Sequence, residues 1–260
     1  MVATAPSHQR VFLPILILLI ALAWVTLLVW SVFPGGPPMD HTAAALPHNA
    51  PGDVRAAIAL LFVAGWTVMT IAMMLPTSLP LIFLFRRVVD HRMDGALLLA
   101  LLLVGYLLVW VGFGMLAYLA DMGLHELVEH RGWLRGSTWV LGVAPLLLAG
   151  IYQFTPLKMI CLKKCRSPLG FVTSHWHGRR PTVETLRLGL DHGLFCVGCC
   201  WSLMLVLFAV GMGQLAWMLV LAIVMAVEKN VPWGRRLTAP LGFTLIGLAL
   251  ALGISEVIHA

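Results

Sequence analysis

The stretch GALLLALLLVGYLLVWVGFGMLAYLA, from Gly95 to Ala120, decides the fold class of this chain. It contains no charged residue and exceeds the roughly 20 apolar residues that a helix needs to cross a bilayer. Comparable apolar stretches occur at 11–33, 56–85, 137–157, 188–211, 215–231 and 238–257. The sequence therefore predicts an all-α, polytopic membrane helix bundle with about seven transmembrane helices.

The composition supports the same fold class. Of the 260 residues, 60% are hydrophobic and 11% are charged, whereas a soluble domain has about 45–50% apolar and about 25% charged residues. With a mean hydropathy of +0.94, a soluble enzyme, a disordered protein and a disulfide scaffold are excluded. The apolar stretches are continuous rather than alternating, which disfavours a membrane barrel. Residues 1–260 are predicted to form one integral membrane domain.

The distribution of basic residues predicts the orientation. If the N-terminus is cytoplasmic, 14 of the 17 lysines and arginines fall on the inside, and only Arg55, Arg131 and Arg135 fall outside. Cytoplasmic loops of membrane proteins carry such an excess, so the net charge of +6 indicates membrane topology and not nucleic-acid binding. The expected location is the bacterial inner (plasma) membrane, with multiple passes through the lipid bilayer.

All five cysteines lie on the predicted cytoplasmic side: Cys161, Cys165, Cys196, Cys199 and Cys200. The cytosol is reducing, which disfavours structural disulfides. Cys161 and Cys165 share one helix face because they are four residues apart, and His192, Cys196 and Cys200 repeat this spacing. Thiolates favour Cu(I) or Zn(II). The cysteines and His192 are therefore predicted metal ligands, with packing as small buried hydrophobes as the alternative.

The second apolar stretch adds two candidate ligands, Met73 and Met74, whose thioethers suit Cu(I). Methionines at helical spacing are also common in helix cores, which is the other interpretation. Pro76 and Pro80 follow them and interrupt the backbone hydrogen bonds. Broken helices at membrane depth line cavities because lipid cannot satisfy the freed carbonyls. We expect the methionines to lie deeper than the cysteines and to act as a relay.

Polar side chains near the same membrane face form a supporting set: Asp191, Glu228, Lys158, Tyr152 and Gln153. Lys158 and Lys229 are expected to extend their ammonium groups to the interface. Glu228 ends a wholly apolar run and is expected to be a ligand, a proton acceptor or the partner of Lys158. Tyr152 and Gln153 could form hydrogen bonds between helices.

A second cluster is predicted on the outside, where His125, Glu126, Glu129 and His130 follow the third apolar stretch. Residues four apart share a helix face, so His125 pairs with Glu129 and Glu126 with His130. The pattern is compatible with a weak capture site for Cu(II) or Zn(II). A solvated interfacial helix without metal is the other interpretation.

Three blocks of sequence carry a family resemblance. They are Trp66–Pro76, then Tyr152–Lys158 continuing to Cys161 and Cys165–Gly170, and finally Gly189–Trp201 with Glu228 and Lys229 downstream. Together they resemble the bacterial predicted metal-binding integral membrane proteins, a family defined by a domain of unknown function. The resemblance covers about residues 55–232 as a core, and it implies metal binding without a defined reaction. Residues 1–54, an extra helix with an outside linker, and the helix 238–257 lie outside it.

The sequence thus predicts an integral membrane protein that binds a soft transition metal near the cytoplasmic leaflet. Copper as Cu(I) is expected first and zinc second. The task would be metal transport, delivery or insertion into a partner, such as a metallochaperone or a metalloenzyme complex. Two other functions stay open: a membrane-embedded thiol oxidoreductase that uses the Cys196–Cys199 or Cys196–Cys200 pair, and a scaffold or assembly subunit without a metal. Whether the protein is an enzyme, and its oligomeric state, do not follow from the sequence.

Overall fold

Helices make up nearly all of the described chain. A computed structural model describes residues 7–32, 51–130, 139–210 and 214–259, and no strand occurs in these ranges. The helices are α1 (Ser7–Val32), α2 (Gly52–Met73), α3 (Leu79–Val88), α4 (Gly95–His130), α5 (Trp139–Tyr152), α6 (Pro156–Cys165), α7 (Pro168–His175), α8 (Pro181–Val210), α9 (Leu215–Asn230) and α10 (Thr238–His259). Short 3₁₀ helices, Pro76–Ser78 and Gly234–Leu237, precede α3 and α10.

Five helices in the described ranges are long and apolar enough to cross a membrane. They comprise Phe12–Val32, Gly52–Met73, Gly95–Ala120, Pro181–Leu207 and Gly234–Ser255. A sixth span results if α5 and α6 are counted together, although the pair bends by 69°. The all-helical fold, with several helices able to cross a membrane, is confirmed, whereas the predicted count of seven and the cytoplasmic N-terminus stay predictions.

Two predicted spans differ from straight crossings. The stretch 215–231 forms α9, whose 16 residues rise about 24 Å, less than the roughly 30 Å of hydrocarbon. The stretch 137–157 bends after Tyr152 because Pro156 starts a new helix, with the Thr155 side chain accepting a hydrogen bond from the Lys158 backbone N–H. The bend turns α6, with two of the cysteines, against the side of α8.

Helix α8 lies at the centre of the bundle and packs against α4, α5, α6 and α7. Its approach to α4 depends on glycine. A Cβ on Gly189 would collide with the carbonyl oxygen of Leu102, and a Cβ on Gly105 would lie 2.7 Å from the carbonyl oxygen of Leu186. Small residues allow membrane helices to pack this closely. The close contact places Tyr106 of α4 against the cysteine-bearing face of α8.

The break between α2 and α3 occurs where the prolines predict it. Helix α2 ends at Met73, and Pro76 begins the 3₁₀ turn before α3. The freed carbonyl oxygen of Met74 accepts hydrogen bonds from the Thr77 hydroxyl at 2.7 Å and the Tyr106 hydroxyl at 3.3 Å. Protein groups therefore satisfy the broken backbone, as a position at membrane depth requires.

Candidate metal centre

Three sulfur atoms from two helices lie in contact beside the bend of α6. Cys199 Sγ on α8 is 3.8 Å from Cys165 Sγ on α6 and 3.4 Å from Cys200 Sγ. We call Cys165, Cys199 and Cys200 the thiol cluster. All five cysteines of the chain are free thiols, and all except the half-buried Cys165 are buried. Residues 34 positions apart in sequence are thus brought together by the packing of α6 on α8.

Cys161 lies next to the thiol cluster, one turn before Cys165 on α6. Its sulfur packs over Gly198, where a Cβ would come within 2.6 Å of it. The Gly198 carbonyl oxygen accepts a hydrogen bond from the Tyr152 hydroxyl, and the Tyr152 ring packs edge-on against Trp201. Tyr152 therefore joins the end of α5 to α8, in line with the predicted hydrogen bond between helices.

Cys196 lies one turn before the thiol cluster and has polar partners on α4 and α9. Its sulfur is 2.9 Å from Lys229 Nζ of α9 and 3.1 Å from the Tyr106 hydroxyl. Lys229 Nζ also donates to the Thr77 hydroxyl at 3.1 Å. We call Thr77, Tyr106, Cys196 and Lys229 the lysine–thiol cluster. A cation beside a cysteine favours the thiolate, which is the metal-binding form.

Lys158 and Glu228 form a buried ion pair. Lys158 Nζ is 2.8 Å and 3.1 Å from the two carboxylate oxygens of Glu228 and also donates to the Gln153 side-chain oxygen. The exposed fractions are 0% for Lys158 and 1% for Glu228. Of the three roles expected for Glu228, the pairing with Lys158 is confirmed. We call Gln153, Lys158 and Glu228 the ion-pair cluster.

The expected extension of the two lysines to the membrane interface is wrong. Lys158 is fully buried, and Lys229 is only 5% exposed. The stem of each lysine points into the bundle because a polar partner is available there: Glu228 for Lys158, and Cys196 with Thr77 for Lys229. The position of each lysine at a helix end suggested the interface. The bend before α6 instead directs Lys158 to Glu228 on α9, and Lys229 meets Cys196 on α8 and Thr77 in the break after α2.

His192 contacts the broken segment after α2 through Ser78. Its Nε2 is 3.2 Å from the Ser78 hydroxyl, and its ring stacks on Tyr106. The other ring nitrogen, Nδ1, is buried without a hydrogen-bond partner within the described part of the chain. His192 also lines a small pocket with Ser78, Tyr106 and Gly189. Its side chain is thus placed on the Tyr106 side of α8, and its role as a ligand stays a prediction.

The remaining predicted residues have diverse surroundings. Asp191 is partly exposed, and its Oδ2 lies 2.9 Å from His175 Nε2 and 3.7 Å from Arg187 Nε. Met73 and Met74 are buried in the core; Met74 reaches the lysine–thiol cluster through its carbonyl oxygen. The residues predicted to lie outside, His125, Glu126, Glu129 and His130, continue α4, and their side chains lie outside those described.

No group of three or more His, Cys, Asp or Glu side chains in the described ranges is arranged to hold a metal ion as it stands. The thiol cluster brings sulfur atoms into contact, and the lysine–thiol cluster places a cation on the neighbouring sulfur. A metal would need to enter between side chains that now contact each other. The predicted ligand set therefore stays a prediction. Its cysteines other than Cys161 belong to the two clusters, His192 contacts Ser78, and Met73 and Met74 are buried in the core.

Sequence reasoning did not identify Tyr106, Thr77 and Ser78. Tyr106 is a polar residue inside the stretch Gly95–Ala120, and this is a signal that could have found it, since a buried tyrosine hydroxyl needs a partner. Thr77 and Ser78 lie between the two prolines, where freed carbonyls attract hydroxyls. Arg166, in the turn after α6, also contacts the site by donating to the carbonyl oxygens of Glu228 and, at 2.9 Å, Pro232.

Comparison with known proteins places these clusters in a family. No curated protein and no solved structure matches the chain. A family model described as PpoB2, copper chaperone, matches residues 63–252, which is more than two thirds of the chain. The match includes every cysteine. It also includes most of α10, which lies outside the resemblance over residues 55–232. By this match, the chain belongs to the PpoB2 copper chaperone family.

Proposed function

We propose that the protein holds Cu(I) in the membrane with the thiols of Cys165, Cys199 and Cys200 and delivers the ion to a partner metalloprotein. Membership of a copper chaperone family supports the metal and the task. The single observation that carries the proposal is the contact of Cys199 Sγ with sulfur atoms on two sides, 3.8 Å and 3.4 Å away. Soft thiolates are the ligands that select Cu(I) over hard cations.

The distance between α6 and α8 suits a shared ion. Two sulfur atoms bound to one metal at about 2.3 Å, with a tetrahedral angle between them, are about 3.8 Å apart. The Sγ–Sγ distance between Cys165 and Cys199 has this value. Cys199 and Cys200 are closer, at 3.4 Å, so one of them rotates on binding. Cys161 is near enough on α6 to take over a position.

Access from the cytoplasmic leaflet is part of the proposal. Helix α6 ends with Lys163 and Lys164, both exposed, beside Cys165. Lysines at this end agree with an inside position under the positive-inside rule. Cys165 is the one half-buried cysteine, so it is the sulfur through which an ion enters or leaves. A soluble metallochaperone or a membrane metalloenzyme would meet the protein here.

The lysine–thiol cluster connects the thiol cluster to the break after α2. Cys196 lies one helical turn after His192 and one turn before Cys199 on α8. Tyr106 connects Cys196 to the Met74 carbonyl oxygen at the break after α2. We therefore propose Cys196, Met73 and Met74 as the relay between the thiol cluster and the broken helix.

The test is a Cu(I) titration of the purified protein in detergent against a colorimetric Cu(I) chelator. Wild type should bind one Cu(I) per chain with an affinity above that of the chelator, and Cys199→Ser should lose at least 100-fold in affinity. Ser202→Ala is the matched control, because Ser202 is buried on the same helix and its change removes no sulfur. Equal binding by Cys199→Ser and wild type would contradict the proposal.

A thiol oxidoreductase is favoured by one observation, the contact of Cys196 with Lys229 at 2.9 Å, since a neighbouring cation activates a cysteine. Because α8 is helical through Cys199 and Cys200, and side chains adjacent in a helix point about 100° apart, a disulfide between these two is disfavoured, whereas the Cys196–Cys199 and Cys196–Cys200 pairs stay candidates. Counting free thiols separates the two functions. A copper chelator restores thiols that a metal covers, whereas only a reductant restores thiols that a disulfide covers.

A further inference from the structure

Two pairs of exposed cations lie on segments that meet at the end of α6. The first pair precedes Cys165, the half-buried cysteine, in the last turn of α6. The second pair lies on the 3₁₀ helix that precedes α10. Arg166 joins the two segments, because it donates to the carbonyl oxygens of Glu228 and, at 2.9 Å, Pro232, just before that 3₁₀ helix. We call the four exposed cations the basic surface: Lys163, Lys164, Arg235 and Arg236.

No carboxylate neutralises the basic surface within the described part of the chain. Among the described side chains after α4, three carry a carboxylate, and each has partners inside the protein. Glu228 pairs with Lys158, and Asp191 contacts His175. Glu184 accepts hydrogen bonds from the four backbone N–H groups that precede α8. The basic surface is therefore available to an external anion.

We propose that the basic surface recognises a protein that accepts Cu(I) with thiol ligands and carries carboxylates around them. This inference rests on the proposed function, since it assumes that the ion leaves through Cys165. The transfer is a ligand exchange at constant oxidation state. A bond from copper to an acceptor sulfur forms, the bond to Cys165 breaks, and the proton of the acceptor thiol passes to the released sulfur. The acceptor must therefore contact Cys165 and lie against the two lysines that precede it.

Trp233 adds an apolar contact beside the second pair of cations. Its side chain is 54% exposed, and it directly precedes the 3₁₀ helix. Tryptophan and arginine are enriched among the residues that anchor protein–protein interfaces. Complementary charge at the rim of an interface raises the association rate more than the affinity. The basic surface should therefore set the rate of transfer to an acidic acceptor and leave the affinity for Cu(I) unchanged.

Anionic lipid headgroups are the other ligands that attract exposed cations at a membrane. A lipid phosphate has no soft ligand, so it cannot take Cu(I) from Cys165. The position of Lys163 and Lys164 directly before this cysteine favours an acceptor protein, because the acceptor has to approach the sulfur itself. Measuring transfer in the absence of lipid separates the two ligands.

The experiment measures the rate of Cu(I) transfer from the full-length protein in nonionic detergent to two synthetic peptides. Both contain the core Cys-Gly-Gly-Cys, flanked by glutamates in one peptide and by lysines in the other. The measured quantity is the ratio of the rate for the glutamate peptide to the rate for the lysine peptide. Lys163→Gln combined with Lys164→Gln should lower this ratio about tenfold at low salt. For wild type, the ratio should fall similarly in about 0.5 M salt, which screens exposed charges.

Arg235→Gln combined with Arg236→Gln should lower the ratio in the same direction and tests the second segment independently. The matched control is Arg179→Gln combined with Arg180→Gln. This pair is also adjacent and exposed, but it precedes α8, whose first residue lies about 27 Å along the helix from Cys199. The control should keep the ratio within about twofold of wild type. Chelator competition should give every variant the Cu(I) affinity of wild type, which shows that the site is intact.

The outcomes separate this inference from the proposed function. A wild-type ratio in both basic-surface variants, or a ratio that salt does not change, would overturn the inference while Cu(I) binding stands. A charge effect that appears only in vesicles containing phosphatidylglycerol, and not in detergent, would also overturn it, because lipid headgroups would then be the ligand. Failure of wild type to bind Cu(I) would instead overturn the proposed function.

Discussion

Two consecutive residues of α9, Glu228 and Lys229, point into two different polar clusters inside the bundle. Glu228 closes the ion-pair cluster, in which each charge has a charged partner within 3.1 Å. Lys229 belongs to the lysine–thiol cluster, in which its ammonium group contacts the Cys196 sulfur and the Thr77 hydroxyl. The two charges of the first cluster neutralise each other and hold α6 to α9. In the second, the cation is held by a sulfur and a hydroxyl, without a carboxylate among the described residues.

The largest expected effect comes from opening the ion-pair cluster. Glu228→Gln leaves the ammonium of Lys158 buried without a counter-charge, and such a change costs about 3–5 kcal/mol of stability. Chemical denaturation in mixed micelles measures it. The double variant Lys158→Met with Glu228→Gln should recover most of the loss, because no uncompensated charge remains. A double variant as unstable as the single one would show that the pair does more than neutralise itself.

A smaller loss of stability should follow from separating α4 and α8. Gly189→Ala forces a Cβ against the carbonyl oxygen of Leu102, and overpacking of this kind costs about 1–3 kcal/mol. The ion-pair cluster lies on α6 and α9 and should stay intact, whereas Tyr106 would move away from Cys196. Thermal unfolding of Gly189→Ala is compared with that of Gly112→Ala, since a Cβ at Gly112 on α4 meets no atom within 4 Å. Equal stability of the two variants would contradict the close contact.

Much of the difference between the two polar clusters could not be predicted from the sequence. The apolar stretches predicted the helical membrane fold, and Pro76 and Pro80 predicted the break after α2. Glu228 as the partner of Lys158 was one of three expected roles. Burial of Lys229 was missed because a lysine at a helix end is usually interfacial. Its position depends on how α9 meets the α2–α3 break, which is a property of tertiary packing that residue spacing does not encode.

The cysteines show the same limit. The four-residue spacings predicted that Cys161 with Cys165, and Cys196 with Cys200, share faces of their helices. They did not predict that Cys199 contacts both Cys165 and Cys200, nor that Cys196 turns to Lys229 and Tyr106. These contacts depend on the 69° bend between α5 and α6, which Pro156 signals without giving its direction. They also depend on the rotation of α8 about its axis, for which the sequence carries no direct signal.

Changing the sulfur of the lysine–thiol cluster should affect binding more than stability. In Cys196→Ser, the serine hydroxyl still accepts a hydrogen bond from Lys229, so we expect less than about 1 kcal/mol of lost stability. Loss of the soft ligand from the relay should lower Cu(I) affinity about tenfold, about 1.4 kcal/mol. Chelator competition measures it, with Ser202→Ala as the control. If Cys196→Ser bound Cu(I) with the affinity of wild type, Cys196 would have no part in binding, and the site would consist of the thiol cluster alone.

The smallest expected effect is that of Tyr106→Phe, which removes the hydroxyl between Cys196 and the Met74 carbonyl oxygen. Met74 keeps the hydrogen bond from Thr77 at 2.7 Å, and Cys196 keeps the contact with Lys229, so neither group loses its last partner. A hydrogen bond of this kind contributes about 1 kcal/mol, and the variant should lose no more than that in denaturation. Trp110→Phe is a matched change of a buried aromatic residue on α4, since Trp110 Nε1 has no hydrogen-bond partner among the described residues. If Tyr106→Phe lost as much stability as Glu228→Gln, Tyr106 rather than Lys229 would be the main polar partner of Cys196.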